Sequence, residues 1–234
     1  CIRDREYIVK TIVTTETIKT IAERNGVEMY DVYTGFKWIA NVMRENEGKK
    51  NYIGGGEESY GFLCEDFVRD KDAVSACVIL AEIAAWAKDQ GLSLYQLLQK
   101  IYVEYGFSKE KGISVVKKGK SGAEEIEAMM KKFRENPLTE IAGSKVTYFY
   151  DYSTLKGKDY AENETVTLDM PTTSNVLQYF TEDNTKVSIR PSGTEPKIKF
   201  YCEVHSKVKS IDELPEAEKA AEEKINQIKA SLGI

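Results

Sequence analysis

Apolar and polar residues alternate along Tyr7–Thr14 (YIVKTIVT), a β-branched run that predicts a strand. Thr15 is the expected N-cap of a helix over Glu16–Arg24, with Ile18 and Ile21 on one face and Asn25-Gly26 as its stop. Val27–Thr34 alternates again as a second strand. Phe36–Arg44 follows as a helix with Phe36, Ile39, Ala40 and Met43 inward, and Asn51–Ile53 as a third strand running into Gly54-Gly55-Gly56. Strand–helix–strand–helix–strand at this spacing predicts a three-layer α/β/α domain with a mixed, mainly parallel sheet.

Asp72–Gln90 is apolar over most of its surface and predicts a largely buried helix ended by Gly91. Ser93 with Gln96 makes a capping box for Leu94–Tyr105. Beyond a basic stretch, Ile113–Val116 predicts a strand, and Ser121 with Glu124 a second capping box, for a helix to Phe133. Short strands and turns fill the chain to Val204, and Pro215–Leu232 closes it as an amphipathic helix. That order predicts an α+β domain with an antiparallel sheet. The boundary falls near Phe107–Glu110, giving domains 1–107 and 108–234.

Composition narrows the functional classes. The 234 residues suffice for two domains at ~100–150 each, and 41% hydrophobic residues can fill their cores. A net charge of −5 argues against a general nucleic-acid binder. The longest apolar run, Ala73–Ala87, is broken by Ser75 and Glu82, so no membrane span is expected. Cys1, Cys64, Cys77 and Cys202 form no CxxC pair; Cys77 and Cys202 fall on apolar faces and are expected buried, in a reducing cytoplasm. His205 is the single histidine, which argues against a His-based zinc site or a Ser-His-Asp triad. The chain opens Cys-Ile-Arg-Asp without methionine and enters a strand-like run almost at once, which predicts a cut within a longer protein.

Two constellations carry chemistry. Between the alternating runs of Val187–Val204 lies Pro191-Ser192-Gly193-Thr194-Glu195-Pro196, with Arg190 at one edge and Lys197 and Lys199 at the other. Arginine, a flexible lysine, hydroxyls and open N–H groups suit a phosphate dianion, and two prolines limit the ordering cost. An ordinary hairpin with a polar turn is the alternative. Ile53–Gly61 (IGGGEESYG) puts Glu57, Glu58 and Ser59 in a glycine-rich turn after a strand, suited to sugar hydroxyls, to a structural turn or to a metal. Thr34 and Gly35 stand at a helix N-terminus with Lys37 in reach, and loops that follow parallel strands gather at one edge.

Taken together, TGFKWI (Thr34–Ile39), GGGEESYGF (Gly54–Phe62), RDKD (Arg69–Asp72) and SIRPSGTEPKIKFY (Ser188–Tyr201) resemble the C-terminal half of the α-D-phosphohexomutase family, the bacterial phosphoglucomutase/phosphomannomutase enzymes. The resemblance implies the family's third domain, which binds sugar, followed by its fourth, which binds phosphate. It implies that Glu57 and Ser59 bind sugar hydroxyls, that Thr34, Gly35 and Lys37 line the sugar site, and that Lys71 aids proton transfer. Arg190, Ser192, Gly193, Thr194 and Lys199 would hold the phosphate that is not transferred. Lysine stands at 199 where family members often carry arginine, which puts bidentate contact there in question.

The family's phosphoserine loop and its Asp-x-Asp-x-Asp magnesium loop have no counterpart here, so no metal ligand is expected in this chain. The resemblance implies Mg²⁺ in the full-length enzyme, a hexose 1,6-bisphosphate as intermediate and activator, and the missing N-terminal domains as partner. The expected activity is interconversion of hexose 1- and 6-phosphates, phosphoglucomutase foremost, with this chain inactive alone. Phosphomannomutase, phosphopentomutase and a stand-alone phosphosugar-binding module are the alternatives.

Overall fold

In the computed structural model, residues 5–117, 119–193 and 195–234 are described, Lys120 by its main chain only. The chain divides into two compact units. One runs to Gly106 and takes in Val208–Ile211; the other comprises Phe107–Lys207 and Asp212–Ile234.

The first unit contains β1 (Glu6–Thr11), α1 (Thr17–Arg24), β2 (Glu28–Val32), α2 (Phe36–Asn46), β3 (Asn51–Gly56), β4 (Phe62–Cys64), α3 (Ala73–Asp89) and α4 (Leu94–Tyr105). Its sheet has the order β2-β1-β3-β4, with the first three strands parallel and β4 antiparallel to β3. This is the mixed, mainly parallel sheet that the alternating elements predict. Tyr7 and Val9 of β1 project with Val32, Tyr52 and Leu63 onto Phe36, Ile39, Val42 and Met43 of α2. Ile39 and Leu63 are fully buried, each stabilising the layer by roughly 1.5–3 kcal/mol. Gly55 is dictated by contact: a Cβ there would lie 2.2 Å from the Val9 carbonyl oxygen. Only glycine lets β3 approach β1 so closely.

Several local expectations change. β1 stops at Thr11 rather than Thr14, because the Thr14 N–H turns back to the Thr11 carbonyl at 2.9 Å. Thr15 accepts the Thr17 N–H at 3.2 Å, but α1 begins at Thr17 behind Glu16. The Ser93–Gln96 capping box is present, both bonds made. α3 overturns its expected burial. Ala87 is its buried residue, while Val74 is 74% exposed and Leu80 and Trp86 also face solvent. Its apolar residues run nearly all round, and β4 and α4 cover one side. Cys77, on α3, is exposed for the same reason, contrary to expectation, whereas Cys202 is buried.

The second unit contains β5 (Phe107–Val116), α5 (Gly119–Glu135), β6 (Glu140–Ile141), β7 (Ser144–Asp151), β8 (Lys156–Asp159), β9 (Glu164–Thr167), β10 (Leu177–Thr181), β11 (Lys186–Pro191), β12 (Lys197–Ser206) and α6 (Leu214–Leu232). The antiparallel sheet runs β5-β12-β11-β10-β7-β8-β9, with β6 on β7. α5 starts at Gly119, so Ser121 lies inside the helix and is not its cap. Val187, Ile189, Ile198, Phe200 and Cys202 are buried on the face that meets α5 and α6. Phe133 of α5 packs edge-on to Phe200, and Tyr179 donates its hydroxyl to the Phe133 carbonyl at 3.0 Å. The other face is polar: Lys186, Ser188 and Arg190 stand across from Glu203, Tyr201 and Lys199. Lys186 and Glu203 form a buried ion pair at 3.1 Å, with Ser108 donating to Glu203 at 3.2 Å. Among the described residues no helix is long and apolar enough to cross a membrane.

Candidate functional site

Because β1, β2 and β3 are parallel, the turns that follow them emerge at one edge of the sheet. After β2, Gly35 adopts φ 114°, a backbone conformation suited to glycine, and opens α2. Its N–H donates to Glu57 Oε1 at 2.5 Å, so the loop after β3 closes onto the start of α2. The Glu57 N–H in turn donates to the Gly61 carbonyl at 2.7 Å, folding 57–61 into a tight turn. Ser59 is exposed near its tip beside Tyr60, whose φ is 66° and whose ring is fully exposed.

Lys71 reaches the same place from the segment after β4. The Asp72 N–H anchors that segment to the Phe62 carbonyl at 3.0 Å, and the Asp72 carboxylate caps α3 through the Ser75 N–H at 2.7 Å. A Cβ placed on Gly61 would lie 3.3 Å from both Glu57 Oε2 and Lys71 Cδ, which marks how the two side chains converge. The Lys71 ammonium bonds Asp70 at 3.0 Å and stands 5.9 Å from the Phe36 ring centroid. That bond, with the Lys71 N–H, holds the Asp70 carboxyl below the usual carboxylate range. The structure therefore gathers Gly35, Glu57 and Lys71. Thr34 is half-buried one residue before Gly35, and Lys37 is exposed with its ammonium 5.0 Å from the Trp38 ring centroid. Trp38 meets Tyr33 edge-on, and burial pushes the Tyr33 phenol up to about 12.

Sequence reasoning missed a second group at this edge. Thr11 Oγ1 and Thr14 Oγ1 lie 2.8 Å apart and 3.2 and 3.4 Å from Glu58 Oε2. Below them, buried Lys10 bonds Asp31 at 2.7 Å, Glu16 at 3.0 Å and the Thr14 carbonyl at 3.5 Å. The available signal was a run of hydroxyl residues just where a strand should stop. They read instead as β-branched strand positions.

In the second unit, register sets Arg190 directly across from Lys199 on the polar face, both half-buried. Among the described residues neither is tied up in an ion pair. Lys197, by contrast, bonds Glu195, which depresses that exposed carboxyl. The loop is shaped by Ser192 N–H to Lys197 carbonyl at 2.8 Å and Lys197 N–H to Glu195 carbonyl at 2.7 Å; Lys117 N–H holds the Pro196 carbonyl at 2.9 Å. Space around Gly193 is open: a Cβ there meets nothing within 4 Å. Thr194 lies outside the described residues. A groove of about 610 Å³ adjoins the loop on its α5 side, lined by Ile126, Met130, Ser192 and Lys197 among others, but not by Arg190 or Lys199. No group of three or more His, Cys, Asp or Glu side chains among the described residues could hold a metal ion.

Residues 2–105 match the profile of the phosphoglucomutase/phosphomannomutase α/β/α domain III, and residues 114–221 that of the C-terminal domain of the same enzymes. The chain belongs to the phosphoglucomutase/phosphomannomutase family. It carries domains III and IV, so the Glu57 loop lies in domain III and the Arg190 loop in domain IV. A phosphoglucomutase of Staphylococcus haemolyticus is 35% identical over 202 residues, 86% of this chain and 36% of the relative. A phosphoglucomutase of Staphylococcus aureus is 40% identical over 194 residues, 83% of this chain and 35% of the relative. The chain thus spans about a third of the curated relatives it matches. The fold is shared with the crystal structure of Paramecium pp63/parafusin, a phosphoglucomutase (TM-score 0.57, 19% identity, 87% of this chain and 33% of that one). It is shared too with a phosphoglucomutase/phosphomannomutase family protein of Burkholderia thailandensis (TM-score 0.54, 16% identity, 97% and 38%).

Proposed function

We propose that this chain is the substrate-binding part of a phosphohexomutase that interconverts hexose 1-phosphate and hexose 6-phosphate, with glucose the preferred sugar. The relatives named phosphoglucomutase support that choice. The observation that carries it is the hydrogen bond from Gly35 to Glu57 at the sheet edge. With Oε1 fixed by a main-chain N–H, Oε2 is left to accept from a sugar hydroxyl in a set direction. Ser59 adds a hydroxyl, Thr34 and Gly35 line the site, and Lys37 stands at its rim. Lys71, beside Glu57, holds or moves a proton at the reacting hydroxyl.

Domain IV holds the phosphate that stays put. Arg190 and Lys199 face it as a cross-strand pair, with the Ser192 hydroxyl and the Gly193 N–H beside them; the resemblance adds Thr194 as a further contact. In the whole protein a phosphoserine outside this chain gives its phosphoryl group to the free sugar hydroxyl. The serine–phosphorus bond breaks, a sugar–phosphorus bond forms, and the hydroxyl proton leaves to a base. The bisphosphate then turns round and returns its other phosphoryl group to serine; free hexose 1,6-bisphosphate primes the enzyme by the same route. Mg²⁺ would supply charge compensation in such chemistry, and this chain contributes positioning of the sugar and of the phosphate that stays put. Positioning of this kind is worth up to roughly 7–11 kcal/mol. A phosphohexose substrate goes with a cytoplasmic enzyme.

Calorimetry of this chain with glucose 1-phosphate tests the reading. Arg190→Ala should lose on the order of 2–3 kcal/mol of affinity, as for a charge-assisted contact. Unchanged affinity, or mutase turnover by this chain alone, would contradict it.

A further inference from the structure

We propose that Thr11 and Thr14 are positioning residues for the sugar-binding loop, acting through Glu58. The proposal rests on the reading of Glu57 and Ser59 given above. The two neighbouring acids hold different elements. Glu57 reaches the start of α2 through Gly35, whereas Glu58 reaches the end of β1, where both threonine hydroxyls approach one of its oxygens. The loop is thereby fastened at two sides of the parallel-strand edge, and Ser59 is left facing solvent.

The burial pattern argues for a latch rather than for core packing. Thr11 is fully buried and Thr14 nearly so, yet the group they hold is an exposed carboxylate on a loop. Each hydroxyl lies within hydrogen-bond distance of the same carboxylate oxygen, Thr11 at 3.2 Å and Thr14 at 3.4 Å, and the two hydroxyls lie 2.8 Å from each other. The turn that presents them is itself fixed, by Thr14 N–H to the Thr11 carbonyl and by Lys10 from beneath. A single tether at Glu57 lets the loop pivot; the second sets its attitude and hence the direction of Glu57 Oε2. Removing the latch should loosen the loop while leaving the sheet intact, because valine replaces threonine at nearly equal volume.

The test uses the ¹⁵N-labelled chain and reads the Gly35 amide, which reports its bond to Glu57 directly. Thr11→Val/Thr14→Val and Glu58→Ala should shift that proton upfield and reduce its exchange protection. They should also weaken glucose 1-phosphate binding about tenfold, the size of one lost charge-assisted hydrogen bond. Inorganic phosphate affinity should stay at the wild-type value. Thr14→Ser, which keeps the hydroxyl donor, should behave as wild type, and Glu58→Gln, which keeps an acceptor without its charge, should fall between wild type and Glu58→Ala. An unmoved Gly35 amide in both disrupting variants overturns the latch, as does a parallel loss of inorganic phosphate binding, which would mean general unfolding. Failure of the unaltered chain to bind glucose 1-phosphate would instead overturn the sugar-site reading.

Discussion

Gly35 and Glu57, 22 residues apart in sequence, meet through a main-chain N–H and a carboxylate oxygen 2.5 Å apart. Gly35 makes this bond while holding φ 114° at the start of α2, a conformation that a side chain would strain. Gly35→Ala should cost about 1–3 kcal/mol, the usual strain of a side chain held in such a conformation. Urea denaturation measures the loss, and the mutant should also bind glucose 1-phosphate more weakly. Unchanged stability would mean that the backbone relaxes without strain.

The Lys186–Glu203 pair lies among buried groups of domain IV, beside Ser108. Lys186→Met alone takes the ammonium from the buried Glu203 carboxylate and should destabilise by about 3–5 kcal/mol. Adding Glu203→Leu should recover much of that, because an apolar pair needs no desolvation of charge. Denaturant midpoints of the single and double variants distinguish this from simple loss of packing, for which the second change would add to the first.

Acid should act through Asp183, in the turn between β10 and β11. Burial raises its affinity for a proton, but the Lys224 ammonium and the Thr181 and Thr185 hydroxyls outweigh it and hold the carboxyl down to about 2. The folded value is below the unfolded one of about 3.9, so the contribution is complete above that pH. It is lost as pH falls toward 2. Tm of wild type should exceed that of Asp183→Asn at pH 7, and the gap should close near pH 2. A gap that persists there would exclude the carboxylate as its source.

Periodicity exposes the parallel layer of domain III and the β11–β12 hairpin, because strand and helix faces each bury one stripe. It misjudges α3, since an apolar residue at every turn says that the helix avoids water but not what covers it. It also runs β1 through to Thr14, because threonine suits a strand as well as a turn. Lys10 reads as an ordinary polar position; its burial depends on Asp31 and Glu16, carboxylates that a local pattern cannot place. Lys71 shows the same limit. Its motif stands after β4, but its approach to Glu57 comes from the Asp72–Phe62 backbone bond, which no spacing rule supplies.

A ¹⁵N NMR titration of this chain with glucose 1-phosphate, against glucose and inorganic phosphate as controls, tests the central claim most directly. The Ser192 and Gly193 amides should respond to both phosphate compounds, and those of Gly35, Glu57 and Ser59 to glucose 1-phosphate. Shifts confined to other residues, or none at all, would contradict it.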